Sequence, residues 1–183
     1  KSKTLDFLIK SKSLNKQFLI PNFFSFKKKE YLKNKKSILS GISKTFKKNI
    51  ILRSSSLNED TKNFTNAGLY KSFVIKKLDT KTINYKIKTI LNDFVNPNDE
   101  IIVQEFIDNV DLAGVAFSRD PNIDSPYFII NYDNSGRTDK VTSGVKNTKS
   151  RTIVVYRDSK IQNKFLDLIE QIKIFEEKLN MNS

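Results

Sequence analysis

With 183 residues, 38% of them hydrophobic, the chain is long enough to bury one substantial core, as one domain or one domain with a small lobe. It has no cysteine and no histidine, which excludes disulfides, thiolate nucleophiles, cysteine metal sites and imidazole general bases within it. A net charge of +13 favours polyanions such as nucleic acid, an acidic membrane surface or nucleotide phosphates, and by itself chooses none of them.

No apolar run approaches the ~20 residues that span a bilayer. The opening Lys1-Ser2-Lys3-Thr4-Leu5 lacks the apolar stretch of a secretory signal, so the expected compartment is the cytoplasm, with no membrane partner. Leu5, Leu8 and Ile9 recur at helical spacing and predict a short opening helix. Phe18-Leu19-Ile20-Pro21 reads as a strand entering a turn, because proline fixes its own backbone angle and pushes its predecessor toward an extended form. A lysine-rich stretch with Tyr31, Leu32, Ile38, Leu39 and Ile42 predicts a second helix ending before Asn49, with a solvated charged face. The longest lysine run, Lys27-Lys28-Lys29, is short for a nucleic-acid arm. The lysines also accompany many Asn, Ile and Phe residues, as AT-rich codon usage favours.

Ile50-Ile51-Leu52 is a short strand, followed by Arg53-Ser54-Ser55-Ser56 and a polar loop through Asn66-Ala67-Gly68. Leu69 to Ile75 returns as a strand. Ile83, Ile87, Ile90, Leu91 and Phe94 lie on one helical stripe, with Asp79 or Thr80 as N-cap. After the turn Asn96-Pro97-Asn98-Asp99, Glu100 to Ile107 suits a half-buried strand. Ala113 to Ser118 and Tyr127 to Asn131 are further strands around the turn Asp120-Pro121-Asn122, and Arg151 to Tyr156 is the last. A closing helix from about Ser159 carries Ile161, Phe165, Leu168, Ile169, Ile172 and Phe175 on its apolar face. Strands joined by hairpin-length turns, with few helices, favour an α+β fold over a doubly wound parallel sheet.

The most informative stretch runs from Leu52 to Asp60 and on to Gly68. An arginine at a strand end offers a planar fork of donors that matches phosphate oxygens, and hydroxyls with an Ala-Gly loop can close over a polyphosphate. The same residues also suit a surface loop in which the serines cap backbone and Arg53 pairs with Glu59 or Asp60.

ILRSSSLNEDTKNFTNAGLY at 51 to 70 resembles the "VRSS…ED…FAG" signature of the nucleotide-binding domain shared by phosphoenolpyruvate synthase, pyruvate phosphate dikinase and related phosphotransferases. Other segments are similar to that family in the same order: Lys1 with Leu5 to "GGK…L", FLIPNFFSF at 18 to 26 to "VPPGF", and IIVQEFIDNVDLAGVAFSRDP at 101 to 121 to "VVVQ.MV…SGV.FT.DP". Asp139 and Val141 to Gly144 follow where the family has "GLGE..V.G". The resemblance implies an α+β, ATP-grasp-like, two-lobed nucleotide-binding fold over 1–183, truncated before its last strands: a small lobe over about 1–103, a hinge at 104–108 and a second lobe over about 109–183.

It also implies that the chain binds ATP and Mg²⁺, with Lys1 and Arg53 as the catalytic contacts to the phosphates and Arg53 stabilising charge on the transferring group. Ser54, Ser55, Ala67 and Gly68 would cover the phosphates. Gln104, Glu105, Phe106 and Ile107 would offer backbone groups to the adenine edge, where the alternative is an ordinary strand with one polar face. Metal ligands stay unassigned; Asp120, Asp124, Asp133 and Asp139 are available, with turn residues as the alternative identity. In the family a histidine on a mobile carrier domain takes the phosphoryl group and delivers it to a small-molecule acceptor. This chain therefore implies a carrier domain and an acceptor domain elsewhere in a longer protein.

The chain also departs from the family. Ser135-Gly136-Arg137-Thr138-Asp139 replaces the glycines around "GLGE", the glycines usual before Lys1 are missing, and the family's "DIEW…LQ.RP" segment is expected beyond Ser183. NYDNSGRTDKVTSG at 131 to 144 and the opening KSKTLDFL resemble a subgroup found with surface-polysaccharide biosynthesis, which includes the L-glutamine kinase of capsule phosphoramidate synthesis. This makes a glutamine amide an acceptor beside a pyruvate-like one. The rival readings are a non-catalytic ATP-grasp-like binding module and a basic nucleic-acid-binding domain. The second is disfavoured because the aromatics fall mostly on apolar faces.

Overall fold

The computed structural model describes residues 2–10, 19–56, 60–61, 64–65, 71–134, 150–159 and 165–179. In chain order the elements are α1 (Ser2–Lys10), β1 (Phe23–Lys27), α2 (Lys28–Thr45), β2 (Ile50–Ser55), β3 (Asp60–Thr61), β4 (Phe64–Thr65), β5 (Ser72–Ile75), α3 (Thr80–Leu91), β6 (Glu100–Glu105), β7 (Ala113–Phe117), β8 (Tyr127–Asp133), β9 (Arg151–Tyr156) and α4 (Leu166–Leu179). Every strand pairing is antiparallel, so the fold is α+β. No helix among the described residues is long and apolar enough to cross a membrane. The chain divides into two units, Lys1–Ile107 and Asp108–Ser183.

In the first unit the strands run in the order β1-β6-β2-β5. The strand expected at Phe18 to Pro21 is instead β1, which follows the proline, and Leu19 is 89% exposed. Phe24 and Phe26 supply the reason. They alternate onto the core face, so the aromatic run after Pro21 gains more by burial than the aliphatic run before it.

Side chains alternate across each strand. One sheet face presents Phe26, Ile50, Leu52, Ile75, Ile101 and Val103 to Ile38, Leu39 and Ile42 of α2 and to Ile83, Ile87, Ile90 and Leu91 of α3. Burying each such Ile or Leu stabilises the fold by roughly 1.5–3 kcal/mol. Tyr31 joins the two helices by donating its hydroxyl proton to Asn84 Oδ1 at 2.6 Å, and its burial raises the phenol pKa.

The helix ends are satisfied in different ways. Asp79 is the N-cap of α3, accepting from the Thr82 N–H at 2.8 Å, and this hydrogen bond holds its carboxyl below the ordinary value. α2 follows β1 without a loop. Its first donors go to a distant turn, Lys28 N–H to Asp99 O at 2.9 Å and Lys29 N–H to Pro97 O at 3.0 Å. Asn34 departs from helical geometry at φ −127° and kinks α2.

In the second unit β7, β8 and β9 form a three-stranded sheet in that order. Phe128, Ile130, Tyr132 and Val155 pack with Phe165 and with Ile169 of α4. α4 starts at Leu166, later than the Ser159 expected from its apolar stripe; Ile161 lies outside the described residues. Gly114 lies so close to β8 that a Cβ there would sit 2.3 Å from Asn131 O. α4 is tied to the end of β9 by Arg157, whose guanidinium donates to Glu176 Oε1 at 3.0 Å and Oε2 at 2.6 Å. That pairing raises the pKa of Arg157 and lowers that of Glu176.

Candidate functional site

The sheet face opposite α2 and α3 is defined by strand register, because residues paired across strands share a face. On β2 it carries Ile51, Arg53 and Ser55. Arg53 is opposite Ile102 on β6 and Ser72 on β5, Ile51 is opposite Gln104, and Ser55 is opposite Glu100. Within this largely polar face Ile102 and Gln104 are nonetheless buried, at 2% and 8% exposure.

Arg53 is exposed, and its Nη1 donates to Gln104 Oε1 at a long 3.4 Å. Its reach toward Gln104 spans a diagonal of the sheet, and the length of the contact means the guanidinium is not saturated by it. Ser2, at the start of α1, donates its hydroxyl proton to the Glu100 carboxylate. The beginning of the chain therefore meets the sheet beside Ser55, two positions along the strand from Arg53. Lys1 lies outside the described residues.

Arg53, Ser55 and Gln104 thus come together on one face, joined by Ser72 and Glu100. Ser54 does not join them. It is 6% exposed on the helix side of the sheet, level with Ile101, and its Oγ finds no hydrogen-bond partner among the described residues. Its backbone N–H donates to Lys71 O at 3.3 Å. Just beyond β2, Ser56 Oγ donates to Asp99 Oδ1 at 3.0 Å, while Asp99 Oδ2 accepts the Asn96 N–H at 3.2 Å. These bonds tie the chain leaving β2 to the turn before β6. Ala67 and Gly68 lie outside the described residues.

At the other end of β6, where backbone groups are expected to meet a base, two N–H groups are engaged within the fold. Glu105 N–H donates to Asn22 O at 3.0 Å and Phe106 N–H to Asn49 O at 2.8 Å. The Glu105 side chain shares the face of Ile50, Phe106 is half-buried and Ile107 is exposed.

Among the described residues no three acidic side chains gather as a metal site would require. Asp120 Oδ1 accepts the N–H groups of Asn122 and Ile123, and so acts as a turn residue. Asp124 adopts a positive φ of 52° and pairs with Arg119 at 3.1 Å. Asp133 is fully buried on β8, opposite Ala113, and Asp139 lies outside the described residues.

Chemically, the site is an exposed guanidinium flanked by hydroxyls and an amide on one face of the sheet. It can bind an oxyanion by charge-assisted hydrogen bonds. Ser72 and Glu100 escaped the sequence reasoning because strand pairing is not written in local sequence. The separation of Ser54 from Ser55 was legible in the two-residue period of a strand. No protein-family model matches the chain, and no curated protein or solved structure was found to be similar to it.

Proposed function

We propose that the chain is the ATP-binding, ATP-grasp-type domain of a phosphotransferase related to phosphoenolpyruvate synthase. The single observation that best supports this reading is Arg53, exposed within β2, which continues past it to Ser55, on the same face as Ser55 and Gln104. In this reading Arg53 and Lys1 hold the nucleotide phosphates, Ser55 and the segment around Ala67-Gly68 lie over them, and apolar surface near Phe106 and Ile107 receives the base. Catalysis by such a site consists of positioning and charge stabilisation. With no histidine in the chain, the phosphoryl acceptor is a histidine on another domain of the same cytoplasmic protein. The final acceptor is a small molecule with a glutamine-type amide or a pyruvate-like group. Mg²⁺ enters with the phosphates.

The test is Mg·ATP binding to the wild-type chain and to Arg53→Ala. A hydrogen bond to a charged group contributes about 1.5–3 kcal/mol, or roughly 10- to 150-fold in affinity. The variant should lose that much while its thermal unfolding stays near wild type, since Arg53 is exposed and its contact to Gln104 is long. Equal affinities for wild type and variant would refute the assignment. A non-catalytic nucleotide-binding module is the second reading, favoured by the scatter of the acidic residues. Transfer of the γ-phosphoryl group to a histidine of the full-length protein separates the two.

A further inference from the structure

On the outer side of the first unit, α2 and α3 border a groove that the nucleotide reading leaves unused. It is lined by Tyr31, Leu32 and Leu91, of which Leu32 supplies the exposed apolar surface, and Lys28, Lys35 and Lys88 surround it. Leu32 is 70% exposed although Tyr31 and Leu91 beside it are 3% and 6% exposed. The kink at Asn34 falls between Leu32 and Lys35, at the point where an unbroken helix would continue its regular pattern of side chains.

Lys28 is committed to the Phe94 carbonyl at 2.6 Å, whereas Lys35 and Lys88 make no ion pair among the described residues. The acidic groups of this layer are engaged elsewhere: Glu30 accepts the Lys27 N–H, Asp79 caps α3 and Asp93 pairs with Lys71 at 2.9 Å. Lys29, Lys33 and Lys36 extend the positive field along exposed α2. An exposed leucine flanked by Lys35 and Lys88, which make no ion pair among the described residues, is complementary to a segment that carries carboxylates around an apolar stripe.

We propose that this groove docks an acidic amphipathic segment of a partner protein, with an apolar side chain against Leu32 and carboxylates toward Lys35 and Lys88. Nucleic acid fits less well because the groove offers no free ring to stack on. The Tyr31 ring is buried and stacks on Phe26 at 5.6 Å. A membrane surface fits less well because a groove receives side chains, whereas membrane binding requires apolar groups that protrude. The proposal is independent of the nucleotide reading.

The test is fluorescence anisotropy with a labelled synthetic helical peptide whose Leu and Phe recur at helical spacing between glutamates. The wild-type chain should bind it, more weakly as salt rises from about 50 to 150 mM. Lys35→Glu/Lys88→Glu should weaken binding at least ~10-fold and Leu32→Ser about 5-fold, while Lys48→Glu, outside the groove, leaves it unchanged. Circular dichroism and thermal unfolding establish that each variant is folded. The proposal is overturned if the peptide does not bind, if a scrambled peptide of equal charge binds as well, or if the paired lysine reversal has no effect. It is also overturned if uridine-rich RNA or phosphatidylglycerol vesicles bind more tightly through the same two lysines.

Discussion

Replacing Arg157 by Met should destabilise the second unit by about 3 kcal/mol at neutral pH, the lower end of the range for breaking a buried ion pair. The side chains of Arg157 and Glu176 are 18% and 9% exposed. The guanidinium makes the bidentate pair described above, donates to Ser118 O at 2.8 Å and lies 4.7 Å from the centre of the Phe128 ring. Met preserves much of the packing on Phe128, so the loss is chiefly electrostatic: a carboxylate left in a site with 7% exposure and a carbonyl without its donor. Removing both charges avoids that penalty, and Arg157→Met/Glu176→Leu should lie within ~1 kcal/mol of wild type. Urea unfolding gives the free energies, and hydrogen exchange of the β8 and β9 amides localises the effect to this unit. The reasoning fails if the single variant loses less than ~1 kcal/mol or the double variant is no more stable than the single.

Three further outcomes follow from the same packing. Hydrogen bonding from Arg157 holds the Glu176 carboxyl below its ordinary value of 4.5. The stability it contributes is therefore complete above that value and lost as pH falls through the lowered one, so an acid titration of the melting temperature should show a limb that Glu176→Gln flattens. Gly114→Ala places a methyl group 2.3 Å from Asn131 O and 3.0 Å from Tyr132 Cα; it should cost about 1–3 kcal/mol or more and speed exchange of the β7 amides, and unchanged protection would contradict the close approach. Ile87 is 0% exposed, so Ile87→Ala should lower the first unit's unfolding free energy in urea by about 2–5 kcal/mol; a loss under ~1 kcal/mol would mean the core is looser than its burial indicates.

The most legible parts of the fold were those in which periodicity and local chemistry agree. α3 was readable because its apolar stripe from Ile83 to Leu91 follows Asp79, a good cap, and β6 because Ile101 to Val103 form a short apolar run bounded by a turn. β1 was displaced because local rules favoured an aliphatic run ending at Pro21, whereas proline can equally precede a strand's first residues. At the candidate site Arg53 stood out by type and position, yet treating the serines as one cradle overlooked alternation, which sends Ser54 into the helix layer. Ser2 with Glu100 and Arg157 with Glu176 are tertiary pairings that no local pattern encodes. The charged face of α2 was legible as solvated, and Lys29, Lys33 and Lys36 are exposed; the groove beside it was not, because it forms only when α3 is packed alongside.

The start of α2 has a consequence for how the first unit assembles. Its opening donors are met by carbonyls of the turn before β6, and the Lys28 ammonium reaches a residue 66 positions away. A peptide spanning α2 alone would lack those acceptors and fray from its first turn. The helix therefore becomes stable only when the chain closes a long loop, whose entropy must be overcome before the contact is made. That requirement binds α2, the turn and β6 into one cooperative folding step, and an insertion in the exposed turn at Pro97 would loosen a helix far from it in sequence.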